Sequence, residues 1–239
     1  MNKIFVEKHL EIGENIKIKE SNLHHLKVIN ISPGDTILIG DKNGNEYEAG
    51  IIEVEKNSCL AKVKKSIKTP RKPVRKVSLF VSIPKKKKME DIIFRCSQLG
   101  INEFYPFISS RTIKKLKTRN FKKTMRRWKL KSKYGAELSK RDKIPDVNEI
   151  KDFNQVLKIF RNKNYDKGII MWEEEKSKYI SDKDKKENIA LFIGPEGGFS
   201  KKEIKKAKQY GAVVRSLGPL VVDVETACIS SSAILLCSE

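Results

Sequence analysis

Two apolar runs near the C-terminus, each leading into a glycine-bearing loop and separated by one helix, constrain this chain more than any other feature. Ile189-Ala190-Leu191-Phe192-Ile193 has the composition of a buried strand and runs directly into Gly194-Pro195-Glu196-Gly197-Gly198. Ser200 then predicts a helix N-cap, Glu203 completes a capping box, and Gly211 closes the helix. Ala212 to Leu217 repeats the strand pattern and ends at Gly218-Pro219. A last helix of small and apolar residues is expected from near Glu225-Thr226-Ala227 to Cys237. Strands joined by helical crossovers imply a mostly parallel α/β sheet. Ligands of such sheets bind beyond the carboxyl ends of the strands, where glycine lets the backbone come close.

The same alternation extends upstream. Val77 to Ile83 reads as a strand, and Met89, Ile92, Ile93, Cys96 and Leu99 fall at helical spacing before Gly100. Asn102 to Ile108 is a strand that Pro106 marks as an edge. Phe121, Met125 and Trp128 mark a helix whose other faces are densely basic; Phe153, Val156, Leu157 and Phe160 mark another. Gly168 to Trp172 is a strand followed by a hydrophilic loop to Asn188. The N-terminal region differs. Its short β-type runs, Thr36 to Ile39, Glu48 to Val54 and Cys59 to Val63, are split by turns such as Asn43-Gly44, which tolerate positive φ. They predict a small barrel or sandwich of antiparallel strands. Thr69-Pro70-Arg71-Lys72-Pro73 reads as the linker, so residues 1–69 and 74–239 are the expected domains.

Several chemistries are excluded by what the chain lacks. Its three histidines, His9, His24 and His25, all lie in the first 25 residues, and no G-x-S-x-G elbow is present, which weighs against Ser-His and Cys-His hydrolases. The glycine loop is neither G-x-G-x-x-G nor a P-loop. Cys59, Cys96, Cys228 and Cys237 form no C-x-x-C pair and read as buried thiols of a reducing compartment. No metal site is expected, and the His24-His25 pair reads as structural. No run is long enough for a membrane span or a signal peptide, so a cytoplasmic address is expected.

The net charge is +21, but its distribution says more. Residues 71–150 carry 24 Lys and Arg against 7 Asp and Glu, whereas residues 1–70 carry 11 against 10. A codon bias toward lysine would act everywhere, so the local excess points to a polyanion-binding face. Lys85, Lys86, Lys87 and Lys88 stand where a helix begins, a position that disfavours cations. They read as phosphate contacts or as a solvated loop. Arg126, Arg127 and Lys129 on the basic helix extend the candidate RNA-binding set.

Leu191 to Ser200, then Leu217-Gly218-Pro219 and Glu225-Thr226-Ala227, resemble the C-terminal motifs of the RsmE family, ribosomal RNA uridine-N3 methyltransferases of the SPOUT superfamily. The resemblance covers nearly the whole chain. His25-Leu26, Val28, Gly34-Asp35 and Asp41 to Gly44 match the PUA-like N-terminal barrel. Pro84-Lys85, Met89-Glu90, Leu99-Gly100-Ile101, Pro106, Ser109, Arg111, Trp128, Glu137, Arg141 and Pro145 follow in order.

The resemblance implies an α/β fold with a small PUA-like β-barrel and a SPOUT-type domain ending in a trefoil knot. It also implies S-adenosylmethionine as cofactor, small-subunit ribosomal RNA as substrate, and a homodimer. The implied cofactor residues are Leu191, Ile193, Gly194, Glu196, Gly197, Leu217, Gly218, Pro219, Val222, Val224, Glu225 and Thr226. Arg111 and Arg141 are the candidate catalytic residues, stabilising developing charge on uracil or gripping phosphate. Glu196 reads as a loop-fixing acceptor rather than a general base, and Glu225 as a partner for the helix dipole. The chain departs from the family at Leu220 and Asp223, where arginines are usual, and at Asn30, Arg95, Gln98 and Leu138. Two other readings stand beside this one: a non-catalytic RNA-binding assembly factor that keeps the fold, and a knotted methyltransferase with a different RNA target.

Overall fold

A computed structural model describes residues 1–67, 73–85, 88–112 and 121–237. These divide into two compact units, one of Met1–Lys72 with Ala136–Lys143, the other of Pro73–Gly135 with Ile144–Glu239. Most of the expected linker at 69–73, together with Lys86 and Lys87, lies outside the described residues.

The first unit is built on a five-stranded sheet. Its strands are β1 (Asn2–Phe5), β2 (Asn15–Ile18), β3 (Thr36–Gly40), β4 (Glu46–Val54) and β5 (Cys59–Ile67), in the order β1-β3-β4-β5-β2. Helix α1 (Glu20–Val28) contributes Leu23 and Leu26 to the core. The expectation of purely antiparallel strands needs correction, because β1 pairs with β3 in parallel. Neither β1 nor β2 was legible, each being only four residues long. The unit also includes residues 136–143, which the linear division at residue 69 did not place there. A buried polar cluster fixes them. Lys3, 1% exposed, donates to Glu46 Oε1 at 3.1 Å and to the carbonyl of Arg141, while Phe5 N donates to Glu137 Oε1 at 3.1 Å. Buried charges persist only when paired and hydrogen-bonded, as Lys3 is here.

The second unit holds a parallel sheet of β6 (Lys76–Ser82), β7 (Glu103–Ile108), β8 (Asp146–Val147), β9 (Lys151–Asp152), β10 (Lys167–Met171), β11 (Asn188–Ile193) and β12 (Ala212–Arg215). The order is β12-β10-β11-β6-β7-β8, with β9 also on β7. Side chains alternate across it. Val77, Leu79 and Val81 share one core with α2 (Lys88–Leu99) and α6 (Val224–Leu236), joined by Trp128 of α3 (Phe121–Leu138). Phe80 faces the other core, where its ring stacks on Tyr105 at 4.4 Å and Phe192 at 4.5 Å under α4 (Phe153–Asn162) and α5 (Lys201–Gln209).

Pro106 does not mark an edge. On one side β7 pairs with β6; on the other, β8 pairs with residues 103–104 and β9 with residues 107–108. The proline falls in the gap between these two short strands, where its missing N–H breaks no ladder bond. Cys59, Cys96 and Cys228 are buried, but Cys237 is exposed, because it caps the last helix at its open end.

Candidate active site

The carboxyl ends of β10 and β11 and the segment after β12 surround a cavity of about 350 Å³. From β11 and its glycine loop come Ile193, Gly194, Pro195, Glu196 and Gly198; from the segment after β12 come Ser216, Leu217, Gly218 and Leu220 to Val224. Met171, Trp172 and Glu173 at the end of β10 and Ala227 of α6 complete the lining.

Local chemistry explains why these loops stand open. Gly218 has φ of +133°, and a Cβ built on it would meet nothing within 4 Å, so its side-chain direction is free space. Ser216 Oγ accepts from Gly218 N at 3.2 Å and donates to its carbonyl at 3.1 Å, closing the turn on itself. Asp223 caps α6 by accepting from Thr226 N at 2.8 Å. Lys88 Nζ lies 2.9 Å from both Asp223 Oδ2 and Glu225 Oε2. The Thr226 backbone N–H, helped by Lys88, holds the Asp223 carboxyl down to about 2. Glu196 Oε1 accepts from Lys85 N at 2.7 Å, which ties the glycine loop to the start of α2.

The segment after β7 brings Arg111 to the same loop. Its Nη1 donates to the Gly197 carbonyl at 2.6 Å, leaving further donors of an exposed guanidinium. Glu203, legible as a capping-box residue, also accepts from Ser110 N at 2.9 Å and Ser110 Oγ at 2.8 Å. Burial alone would raise its carboxyl; the N–H groups of Ser110 and Ser200 hold it below the usual range. Ser109 N and Ser82 Oγ, each 2.9 Å from Thr112 Oγ1, fix the other side of the turn.

Of the residues the resemblance implied, Ile193, Gly194, Glu196, Leu217, Gly218, Val222 and Val224 line the cavity. Leu191 lies in the sheet core, and Gly197 faces Arg111. Pro219, Glu225 and Thr226 belong to the same loop and helix turn without lining the cavity. Arg141 has a different place. It belongs to the first unit and is 5% exposed, and burial pushes its guanidinium down to about 10. Lys88 is engaged by two carboxylates, and Arg127 pairs with Glu90 at 3.0 Å; Arg126 and Lys129 are exposed along α3. Sequence reasoning missed the end of β10. The sequence carried no local signal for it, because the end of β10 joins the cavity only through its pairing with β11. Among the described residues no group of three or more metal-binding side chains converges.

A sheet ending in two glycine loops around one cavity defines the chain's class: residues 70–236 match the family described as RNA methyltransferase domain, and residues 18–64 match RNA methyltransferase PUA domain. Ribosomal RNA small subunit methyltransferase E of Mesomycoplasma hyopneumoniae is 31% identical over 87% of this chain and 87% of its own length. The Bacillus subtilis protein of that name is 29% identical, covering 95% of this chain and 93% of its own. The chain belongs to the ribosomal RNA small subunit methyltransferase E family. A solved structure of the Neisseria gonorrhoeae protein of that name, bound to S-adenosyl methionine, aligns with a TM-score of 0.86 at 23% identity, over 98% of this chain and 96% of that one.

Proposed function

We propose that this chain uses S-adenosylmethionine to methylate N3 of a uridine in small-subunit ribosomal RNA, with residues 1–69 as a PUA-like RNA-binding barrel and residues 74–239 as the methyltransferase domain. The observation that carries this reading is the cavity bounded by both glycine loops at the carboxyl ends of parallel strands. Two features fit the cofactor. The Gly218 turn leaves open space where any other residue would project, and the wall beyond it is mostly apolar, from Leu220, Val221, Val222 and Val224.

When bound, S-adenosylmethionine supplies an already activated methyl group, so the chain's residues need only position the base and stabilise charge. Uridine N3 must lose its proton to become nucleophilic. Arg111 beside Gly197 is the proposed cation for the negative charge that develops on the uracil. Arg141 is buried in the first unit, where its backbone carbonyl accepts from Lys3, and a part for its side chain in stabilising charge or gripping phosphate stays secondary in the proposal. Ile193, Gly194, Glu196, Gly197, Leu217, Gly218, Pro219, Val222 and Val224 are proposed to form the cofactor cradle, with Leu191 behind it in the sheet and Glu225 and Thr226 opening the helix beside it. A C-terminal trefoil knot belongs to the proposal. It is supported by the path from β12 at the sheet edge back to α6, which packs on α2, β6 and β11. A homodimer is supported by Leu220 and Val221, each 80% exposed, and a cytoplasmic address by the ribosomal substrate.

Titrating S-adenosylmethionine into the purified protein separates this reading from a non-catalytic assembly factor, which need not bind it. Arg111→Ala is expected to lower turnover more than tenfold, about 1.4 kcal/mol of transition-state stabilisation, with Arg111→Lys retaining part of the rate. Cofactor affinity should change by less than about threefold. Unchanged turnover in the alanine variant would remove Arg111 from the mechanism.

RNA binding is proposed for Lys85, Lys86, Lys87, Arg126, Arg127 and Lys129. Lys88 is better accounted for by its two carboxylates. The log of affinity should fall linearly with log salt, by roughly 0.7 to 0.9 per neutralised phosphate. Changing Lys86, Lys87, Arg126 and Lys129 together to Gln should flatten that slope. An unchanged slope would assign these four residues to solvent.

A further inference from the structure

Among the described residues lining the cavity, the charged side chains are Glu173, Glu196 and Asp223, without a lysine or arginine. Two of these carboxylates are already engaged: Glu196 by the Lys85 N–H, Asp223 by the Thr226 N–H and by Lys88. Glu173 meets neither a cation nor an N–H donor among the described residues. Its carboxylate stands on the glycine-loop side of the cavity. The carboxylate lies against Gly198, where φ is +65° and a Cβ would overlap Glu173 Oε1. Glycine at 198 leaves the carboxylate room on the loop that bounds the cavity.

We propose that Glu173 is a specificity residue that reads the positive charge on the cofactor's sulfur and thereby favours S-adenosylmethionine over its demethylated product. This inference rests on the cofactor reading above. Substrate and product share the adenine, the ribose and the amino-acid moiety, so contacts to those parts bind both alike. They differ at one atom, a sulfonium cation in the substrate and a neutral thioether in the product. An unpartnered carboxylate in the wall beside that atom attracts only the first. Once the methyl group has left, that attraction disappears and the product is released more readily. Because Glu173 is exposed, the attraction is screened by salt.

The test is calorimetric and needs no turnover. Wild type, Glu173→Gln and Glu173→Asp are titrated with S-adenosylmethionine, with the demethylated product, and with an analogue bearing an ammonium group in place of the methylated sulfonium. Circular dichroism verifies that each variant is folded. Glu173→Gln is expected to weaken both cationic ligands at least about fivefold while leaving the neutral product within about twofold. The loss should shrink as salt is raised, and Glu173→Asp should keep most of the preference. Equal weakening of all three ligands, or of none, overturns the proposal while leaving the cofactor site in place. If wild type binds none of the three, the cofactor reading fails and this inference falls with it.

Discussion

Gly218→Val is expected to abolish cofactor binding while leaving the protein folded. In the turn after β12, Gly218 has φ of +133°, where side chains other than glycine's are strained, at a cost on the order of 1–3 kcal/mol. That strain falls on a loop and not on the core. The larger effect is steric. A Cβ at 218 meets no protein atom, so a branched side chain is free to occupy the cavity itself. Affinity should fall by more than about a hundredfold, roughly 2.7 kcal/mol. Gly218→Ala, with its single methyl group, should lose less. Calorimetric titration checks both, and normal binding by the folded valine variant would place the cofactor elsewhere.

Arg215→Leu is expected to be the most destabilising single change at the site's supports. Asp184 is fully buried and receives Arg215 Nε at 2.7 Å and Nη2 at 2.8 Å, with Lys167 Nζ farther away at 3.4 Å. Burial alone would raise the Asp184 carboxyl, but hydrogen bonds from Arg215 hold it below the usual range. Removing Arg215 leaves the buried carboxylate with Ser181, whose N–H donates at 3.1 Å, and the more distant Lys167, a loss of up to about 3–5 kcal/mol. The pH dependence follows from the sign of the shift. A depressed carboxyl contributes stability above its unfolded pKa and loses it as pH falls through the folded value. The gap between wild type and Arg215→Leu should therefore be widest near neutrality and narrow in acid. Denaturant unfolding across pH measures it; a gap that does not change with pH would mean that the ion pair is not its source. The consequence reaches the cavity. Asp184 anchors the loop after β10, and that loop meets the segment after β12 where Ser216 N donates to Lys178 O at 2.8 Å.

How much of this was legible in the sequence depends on the range of the interaction. The glycine loops, the Ser200–Glu203 capping box and the apolar faces of α2 and α4 were readable because each is encoded within a few neighbouring residues. The wall from β10 was not, since Trp172 and Glu173 become cavity residues only through the strand order. Pro106 misled for the same reason: a proline inside a sheet looks like an edge until two short strands are seen to leave a gap beside it. Arg141 carried a family match, but the buried cluster around Lys3 and Glu137 joins residues more than a hundred positions apart. Lys88 read as one lysine in a basic run, and its carboxylate partners lie on a helix that starts more than 130 residues later.

The most direct measurement incubates the protein with methyl-labelled S-adenosylmethionine and small ribosomal subunits from a strain lacking it, then maps the labelled nucleotide. The expected result is label on one uridine of the small-subunit RNA, with the methyl group on N3, where it blocks the base-pairing edge and stops reverse transcription. Subunits that bind the protein yet receive no label, or label on another atom or another RNA, would contradict it.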